Sequence, residues 1–591
     1  MQDKFLALIR KYEADLKKEN KVFNTIGYVK LSLVLLLGYL IYLAVTREFP
    51  LELIILAAFV FLISIALWVY HAKLHNKTDY LKGIISVYSQ YIARITGKWT
   101  KFEDTGAGFA DVDHAYSGDL DIIGAKSLFQ FLNTTHTWHG RQAFANDLLH
   151  AEYEHSELRQ RQEAIAELSR DIEFSGKIQY YLSKIKADAY SSTLAADLKD
   201  STPFTKYKIM RVLLTYMPAF TLLFIISMLV FSLRNLYAAG VTLIAAQAVI
   251  WVLGILPTGK YLQVMARMPY KLSAYCDIID ILTGRDFSCE KLNDIKKALR
   301  EANRAVKDLS RISTKLSVRN SGVIWVILNI LLLWDYDCAF MLEKWKVKYA
   351  PLAEQWFSAI GEFESLLCFS HLPNVCNNTC LPTITEKANM IEAQAMGHPL
   401  LPNEKRVDNN FSFNDNIFIV SGSNMSGKTT FLRTVGINIL LARCGSFVCA
   451  EKMILPLLSV VTSIRIADDL NEGVSTFYAE LKRIRRIIDF AEKRSDAVFL
   501  IDEIFKGTNS ADRLAGAKTV IAKLNNLGAS GLISTHDLEL CELSGIHGRI
   551  KNYSFSEHYK DNRIYFDYKV KPGKSTTTNA KYLMKMLDIF D

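Results

Sequence analysis

Cysteine is the first scarcity. The chain has nine in 591 residues, none of them before Cys276, and no C-x-x-C pair occurs. A small disulfide-stapled scaffold is thereby excluded. Cys376 and Cys380 stand four apart, without a matching Cys or His pair to complete a zinc site. Ordinary reduced thiols are expected. His136 and His139 share the spacing of some ligand pairs but, alone, read as surface or core histidines. Charge is also modest: charged residues make up 22% of the chain and aromatics 11%, a balance that excludes intrinsic disorder. No A-x-A-like cleavage site follows the first apolar run, which is also too long for a signal peptide.

Long apolar runs are what the chain does have. Mean hydropathy is +0.11 despite 70 Lys+Arg and 61 Asp+Glu, a net charge of +9. The excess sits in four runs, 26–45 (interrupted by Lys30), 51–70, 212–233 and 238–256. Each is long enough to cross ~30 Å of hydrocarbon at 1.5 Å per residue. Such lengths with so few charges are rare in the buried helices of a soluble core. The runs pair as two hairpins. Lys4, Arg10, Lys11, Lys17, Lys18 and Lys21 precede the first run; Lys73 and Lys77 follow the second; Arg211 and Lys260 flank the second pair. The positive-inside rule then expects an integral membrane protein, of a bacterial inner membrane, with both termini and both large polar parts cytoplasmic. Arg47 and Arg234 on the outer side oppose this weakly.

A phosphate-binding pattern follows an apolar, β-branched strand at 417–421. Gly422, Ser423, Asn424, Met425, Ser426, Gly427, Lys428, Thr429 and Thr430 form G-x-x-x-x-G-K-T with one further Thr, and a helix is expected over 431–441. Glycines let backbone N–H groups close on phosphate oxygens, and the helix N-terminus adds a favourable dipole. Lys428 is expected to reach the β- and γ-phosphates of ATP or GTP, and Thr429 to hold Mg2+. Val498-Phe499-Leu500-Ile501-Asp502-Glu503 reads as a buried parallel strand ending in two acids. Asp502 suits the Mg2+ shell and Glu503 suits polarising a water. Gly531 to His536 reads as a third short strand ending in a His, a position from which, in such ATPases, a His can contact the γ-phosphate.

Taken in order, these residues resemble one family. Asn424-Met425 inside the loop is similar to the P-loop of MutS-type ATPases. Asp469-Leu470 and Gly473-Val474-Ser475-Thr476-Phe477-x-x-Glu480 resemble the MutS signature segment. Gly507-Thr508-Asn509-Ser510-x-Asp512 resembles the loop after the strand acids, Ser534-Thr535-His536 the switch histidine, and Gly397-His398-Pro399-Leu400 the entry to the ATPase domain. The likeness covers about 385–590 and continues faintly upstream at Asp119-Leu120-Asp121 and Arg161 to Ile165. It implies an ABC-class, MutS-like α/β P-loop ATPase domain joined to an α-helical core and lever domain, with ATP and Mg2+ as cofactors. It also implies a homodimer of ATPase heads in which Ser475 of one head reaches the nucleotide of the other; Asp469, Thr476 and Glu480 are weaker candidates. The expected divisions are a membrane hairpin at 1–77, a helical core part at 78–210, a second hairpin at 211–257, a returning lever part at 258–384 and the ATPase domain at 385–591.

The departures bear on function. Where mismatch readers of this family carry a wedge domain with Phe-x-Glu, this chain has a membrane hairpin. The second hairpin occupies the place of their DNA clamp. Phe490-x-Glu492 and Phe555-x-Glu557 fall inside the ATPase region, away from any wedge position. The adenine-stacking residue is not evident; Val407 stands near where an aromatic often lies. The basic stretch Lys291 to Arg319 is interleaved with Glu290, Asp294, Glu301 and Asp308, which favours a solvated face or lipid headgroups over a DNA groove. Three functions are carried forward. The first is a membrane-anchored MutS-like ATPase whose nucleotide cycle moves lever helices. The second is a mismatch-repair or other DNA-binding ATPase tethered to the membrane, and the third is an ABC-transporter half. The third lacks a Leu-Ser-Gly-Gly-Gln signature before Asp502, and four spans are few for a fused half.

Overall fold

A computed structural model describes residues 1–48, 50–185, 204, 208–231, 237–267, 269–386, 390–423, 425–465, 476–505, 509–560 and 563–575. They fall into two units. One comprises Met1–Asn133, Leu148–Tyr180 and Phe369–Asp591; the other comprises Thr134–Asp147 and Tyr181–Cys368.

The first unit opens with two antiparallel helices, α1 (Gln2–Thr46) and α2 (Leu51–Ile95), of 45 residues each. At 1.5 Å per residue each is about 68 Å long, more than twice a hydrocarbon layer. The far halves carry the apolar runs and expose them: Leu35, Leu51 and Leu62 are all above 60% exposed. The charge interrupting the first run is covered by the opposite arm, since Lys30 Nζ lies 3.7 Å over the Trp68 ring and 3.3 Å from His71 Nδ1. The near halves are built into the rest of the unit. Phe5 stacks on Tyr91 at 4.6 Å, and Tyr91 Oη lies 2.6 Å from His371 Nδ1. Gln179 Nε2 donates to the same phenol oxygen at 3.1 Å. Burial holds the His371 ring well below its ordinary value, so the neutral imidazole takes part in this network. The expected break at 77/78 falls inside α2. His75-Asn76-Lys77 changes the polarity of the helix surface, and no Gly or Pro there ends the helix.

Among the described residues ten strands follow in two sheets: β1 (Thr383–Ile384), β2 (Met390–Met396), β3 (Asn409–Asn414), β4 (Ile417–Ser421), β5 (Lys452–Leu455), β6 (Ser459–Ser463), β7 (Ala497–Asp502), β8 (Ser530–Thr535), β9 (Ile550–Lys560) and β10 (Arg563–Pro572). The smaller sheet has the order β1-β5-β2-β3; the larger has β10-β9-β4-β8-β7-β6. In the larger sheet every pairing is parallel except the edge pair β10–β9. Strands β4, β6, β7 and β8 are buried along their whole length, and β4 and β7 accordingly read as near-continuous apolar runs. Helices Lys428–Arg443, Thr476–Lys493 and Ser510–Asn526 are interspersed between the strands. The register pairs Ser421 with Thr535 and Asp502 with Ser534. The carboxyl ends of β4, β7 and β8 therefore open at one level, where ligands of open parallel sheets bind.

The second unit is helical. Helix Glu290–Leu316 buries Leu292, Ile295, Leu299, Ala302, Val306 and Leu309 on one stripe. It lies against helix Trp334–Phe369, with Trp345 Nε1 donating to Ala305 O at 2.7 Å. Glu364 on the second of these is wholly buried. Its carboxylate accepts from the His136 N–H at 2.7 Å and from the Thr137 hydroxyl, at the start of helix Trp138–His150. Burial pushes its carboxyl up to about 7. Helices Lys208–Phe231 and Tyr237–Arg267 contain the second pair of apolar runs. Among the described residues four helices are long and apolar enough to cross a membrane.

Candidate functional site

The strand–loop–helix anticipated at 417–430 is present, with the helix starting earlier, at Lys428. Gly422 follows β4 with φ 151°, a conformation that L side chains rarely adopt, and a Cβ there would press on Ser426 Oγ and the Phe555 carbonyl. Lys428 is buried. Its Nζ donates to the carbonyls of Gly422 at 2.8 Å and Ser423 at 2.9 Å, and lies 3.4 Å from His536 Nδ1. Thr429 Oγ1 donates to Asp502 Oδ2 at 2.9 Å. The other oxygen of Asp502 accepts from the Ser534 hydroxyl. Glu503, one residue past β7, has φ 56° and its N–H donates to the Ser534 carbonyl at 3.1 Å. Its Oε1 lies 2.5 Å from His536 Nε2. A positive φ at a non-glycine residue is a strained arrangement, and here it turns the carboxylate toward the histidine.

The site residues named from sequence thus meet from three strand ends. Lys428, Thr429, Asp502, Glu503 and His536 form one connected cluster. Met425 is 83% exposed at the loop tip with φ 72°, and Thr430 is exposed on the same cavity wall. Asn424, Asp469, Ser475, Gly507 and Thr508 lie outside the described residues, as does the Thr476 side chain. Glu480 is buried on helix Thr476–Lys493. Asn509 caps helix Ser510–Asn526, its Oδ1 accepting from the Asp512 N–H at 2.9 Å.

A cavity of about 670 Å3 opens beside the loop, lined by Lys428, Thr429, Glu503, His398, Arg406, Val407, Phe555 and Tyr568 among others. Tyr568 was not legible in the sequence. It sits in a bulge of β10, where the register to β9 shifts between Phe566 and Val570. Asn409 holds that bulge, donating to the Tyr568 carbonyl at 3.0 Å and accepting from the Val570 N–H at 2.8 Å. With φ 52° the ring reaches the loop, next to Gly427. Glu557 was seen only as a chance Phe-x-Glu acid, yet its Oε2 accepts from the Ser423 hydroxyl at 2.5 Å. Burial beside Arg433 and Arg406 depresses the His398 ring to about 3, so it lines the cavity as a neutral group. No cluster of His, Cys, Asp or Glu among the described residues has the form of a metal-binding group. The oxygen pair of Thr429 and Asp502 nevertheless matches the hard donors that Mg2+ takes alongside water and phosphate.

A glycine loop opening a helix at the carboxyl end of a largely parallel sheet, beside one acid-tipped and one histidine-tipped strand, is an α/β arrangement suited to holding a phosphate group. Residues 418–587 match the family described as MutS domain V, an ATPase-domain region. The chain is 30% identical over 251 residues to the DNA mismatch repair protein MutS of Lactobacillus helveticus, 40% of this chain and 28% of that protein. It is 28% identical over 263 residues to the DNA mismatch repair protein MutS of Bacillus subtilis, 43% and 30% of the two chains. The C-terminal part of the chain is thus similar to MutS proteins, by the family match over 418–587 and by about 30% identity to these relatives. It spans less than a third of the length of these relatives.

Proposed function

We propose that the chain is a membrane-anchored, MutS-like ATPase whose heads dimerise on ATP and separate after hydrolysis. The observation that carries it is the connected cluster of Lys428, Thr429, Asp502, Glu503 and His536 on the wall of one cavity. ATP phosphates compete for the Lys428 ammonium now held by loop carbonyls. Loop N–H groups and the start of helix Lys428–Arg443 face the same anion. Thr429 and Asp502 would hold Mg2+, which neutralises phosphate charge when bound. Glu503 orients a water and takes up its proton, and His536 holds that carboxylate in place. Ser475 completes the site of a second copy, as the family resemblance implies.

The membrane part of the proposal is supported by the four long apolar helices and their exposed side chains. Both termini and the ATPase head lie on the cytoplasmic side of a bacterial inner membrane in this reading. A second reading, a DNA-binding or mismatch-repair ATPase tethered to the membrane, is favoured by the similarity to proteins named for DNA mismatch repair. The test of the first reading is Glu503→Gln in the full chain. General-base removal is expected to slow ATP turnover about 100-fold or more, with nucleotide still bound. Turnover at the wild-type rate removes Glu503 from the proposed chemistry.

A further inference from the structure

One apolar element stands apart from the four spans. Helix Gly322–Leu332 reads Gly-Val-Ile-Trp-Val-Ile-Leu-Asn-Ile-Leu-Leu, without a single charge. Its 11 residues reach about 16 Å, roughly half of a hydrocarbon layer. It is too short to cross and long enough to fill one leaflet. It joins the two lever helices, bent by 111° from the one before it, and returns through Leu333 at φ 49° into helix Trp334–Phe369.

One side of this helix packs on the second pair of apolar spans. Trp325 meets Trp251 edge-on at 5.3 Å. Val326 and Ile330 lean on a cluster of Leu214, Trp251 and Leu333. Just beyond, the Tyr336 hydroxyl donates to the Ile250 carbonyl at 3.2 Å, in space left by Gly254, where a Cβ would collide with the ring. The other side is bare: Val323, Ile324 and Ile327 are 74%, 56% and 49% exposed. The polar groups at its base are satisfied internally. Asp335, wholly buried, pairs with Arg319 at 2.9 Å and accepts from Trp325 Nε1 at 3.2 Å, and its N–H donates to Asn329 Oδ1 at 3.0 Å. The Asp335, Trp325 and Asn329 polar groups are thereby paired within the protein.

We propose that Gly322–Leu332 is a lipid-embedded half-span that seats the tip of the lever pair in the bilayer, its bare face covered by phospholipid acyl chains. The inference rests on the membrane reading above and adds an element to it. Leu214 lies near the start of Arg211–Met228 and Ile255 toward the end of Tyr237–Leu262. The helix therefore occupies the leaflet where that hairpin enters and leaves, the cytoplasmic one. Acyl chains are favoured over a second copy because three side chains on 11 residues fall far short of the ~1,200 Å2 of a stable interface. Lever motion driven from the heads would then displace an object held in lipid.

The test uses the full chain in phosphatidylcholine vesicles doped with a phosphatidylcholine whose acyl chain carries a diazirine. After photolysis, adducts are mapped by peptide mass spectrometry. Adducts are expected on Val323, Ile324 and Ile327 as well as on 211–228 and 237–262, and Ile327→Asp is expected to lose those on its own segment only. Adducts on the spans with none on 322–332 overturn the half-span and leave the membrane reading intact. Adducts on neither set sink both.

Discussion

At the residue scale, the cavity asks what binds the nucleobase. In the proposed function Tyr568 is the candidate for the aromatic face that Val407 cannot offer; its ring is held beside the loop by a bulge that Asn409 pins from a neighbouring strand. Aromatic stacking beyond area burial is worth about 0.5–1.5 kcal/mol. Tyr568→Ala is therefore expected to raise KM for ATP about 3- to 10-fold with kcat little changed, because the lost contact is the same in ground and transition states. Steady-state hydrolysis over a range of ATP concentrations checks this; a fall in kcat at constant KM would place the ring elsewhere. The contrast with Lys428 and Asp502 is instructive. Their placement in one cluster was legible because a phosphate-loop pattern imposes residue types on contiguous sequence. Tyr568 and Glu557 reach the site only through the β9–β4 pairing and a bulge, neither of which leaves a local pattern.

At the element scale, the loop just before helix Leu128–Leu132 acts as a brace. Asp119 accepts from Thr462 Oγ1 at 2.8 Å and from the N–H groups of Ile464 and Arg465 at 2.9 Å each, and lies 3.3 Å from Arg483 Nη1. Asp121 pairs with Arg433 on the loop helix at 3.0 Å and with Arg465. Two carboxylates thus tie the loop helix to both flanks of 466–475, the segment that carries Ser475. Removing a buried acceptor that leaves two N–H groups unpaired costs about 1–3 kcal/mol. Asp119→Ala is expected to lower the denaturation midpoint accordingly and to lower kcat more than it alters KM, since Asp119 does not line the cavity. An unchanged kcat with a raised KM would show that the brace does not position the segment. The sequence flagged Asp119-Leu120-Asp121 only as a resemblance, because its partners are distant in the chain. Helix Gly322–Leu332 escaped for another reason. An uncharged, mostly apolar stretch of 11 residues is ordinary in a buried core, and only its exposure in the fold separates it from one.

At the scale of the whole molecule, the question is what the heads drive. A net charge of +9 invites DNA, but the charge is locally spent. Along helix Glu290–Leu316 and its end, Lys291 pairs with Glu362, Lys296 with Asp286, Lys297 with Asp294, Lys307 with Asp280, Arg311 with Asp308, Lys315 with Asp337 and Arg319 with Asp335. A lysine already facing a carboxylate displaces few counterions from a duplex, so it adds little to affinity or to its salt dependence. The four apolar helices, by contrast, present large bare surfaces that water does not tolerate without cost. The full chain in vesicles is therefore expected to bind duplex DNA weakly, with the shallow salt slope of a few phosphate contacts and no preference for a mismatch. Its ATP turnover is expected to be unchanged by either duplex. Fluorescence anisotropy with matched and mismatched oligonucleotides over a salt series, run beside ATP hydrolysis, decides it. A steep slope together with mismatch-specific stimulation would transfer the output of the heads from the bilayer to DNA.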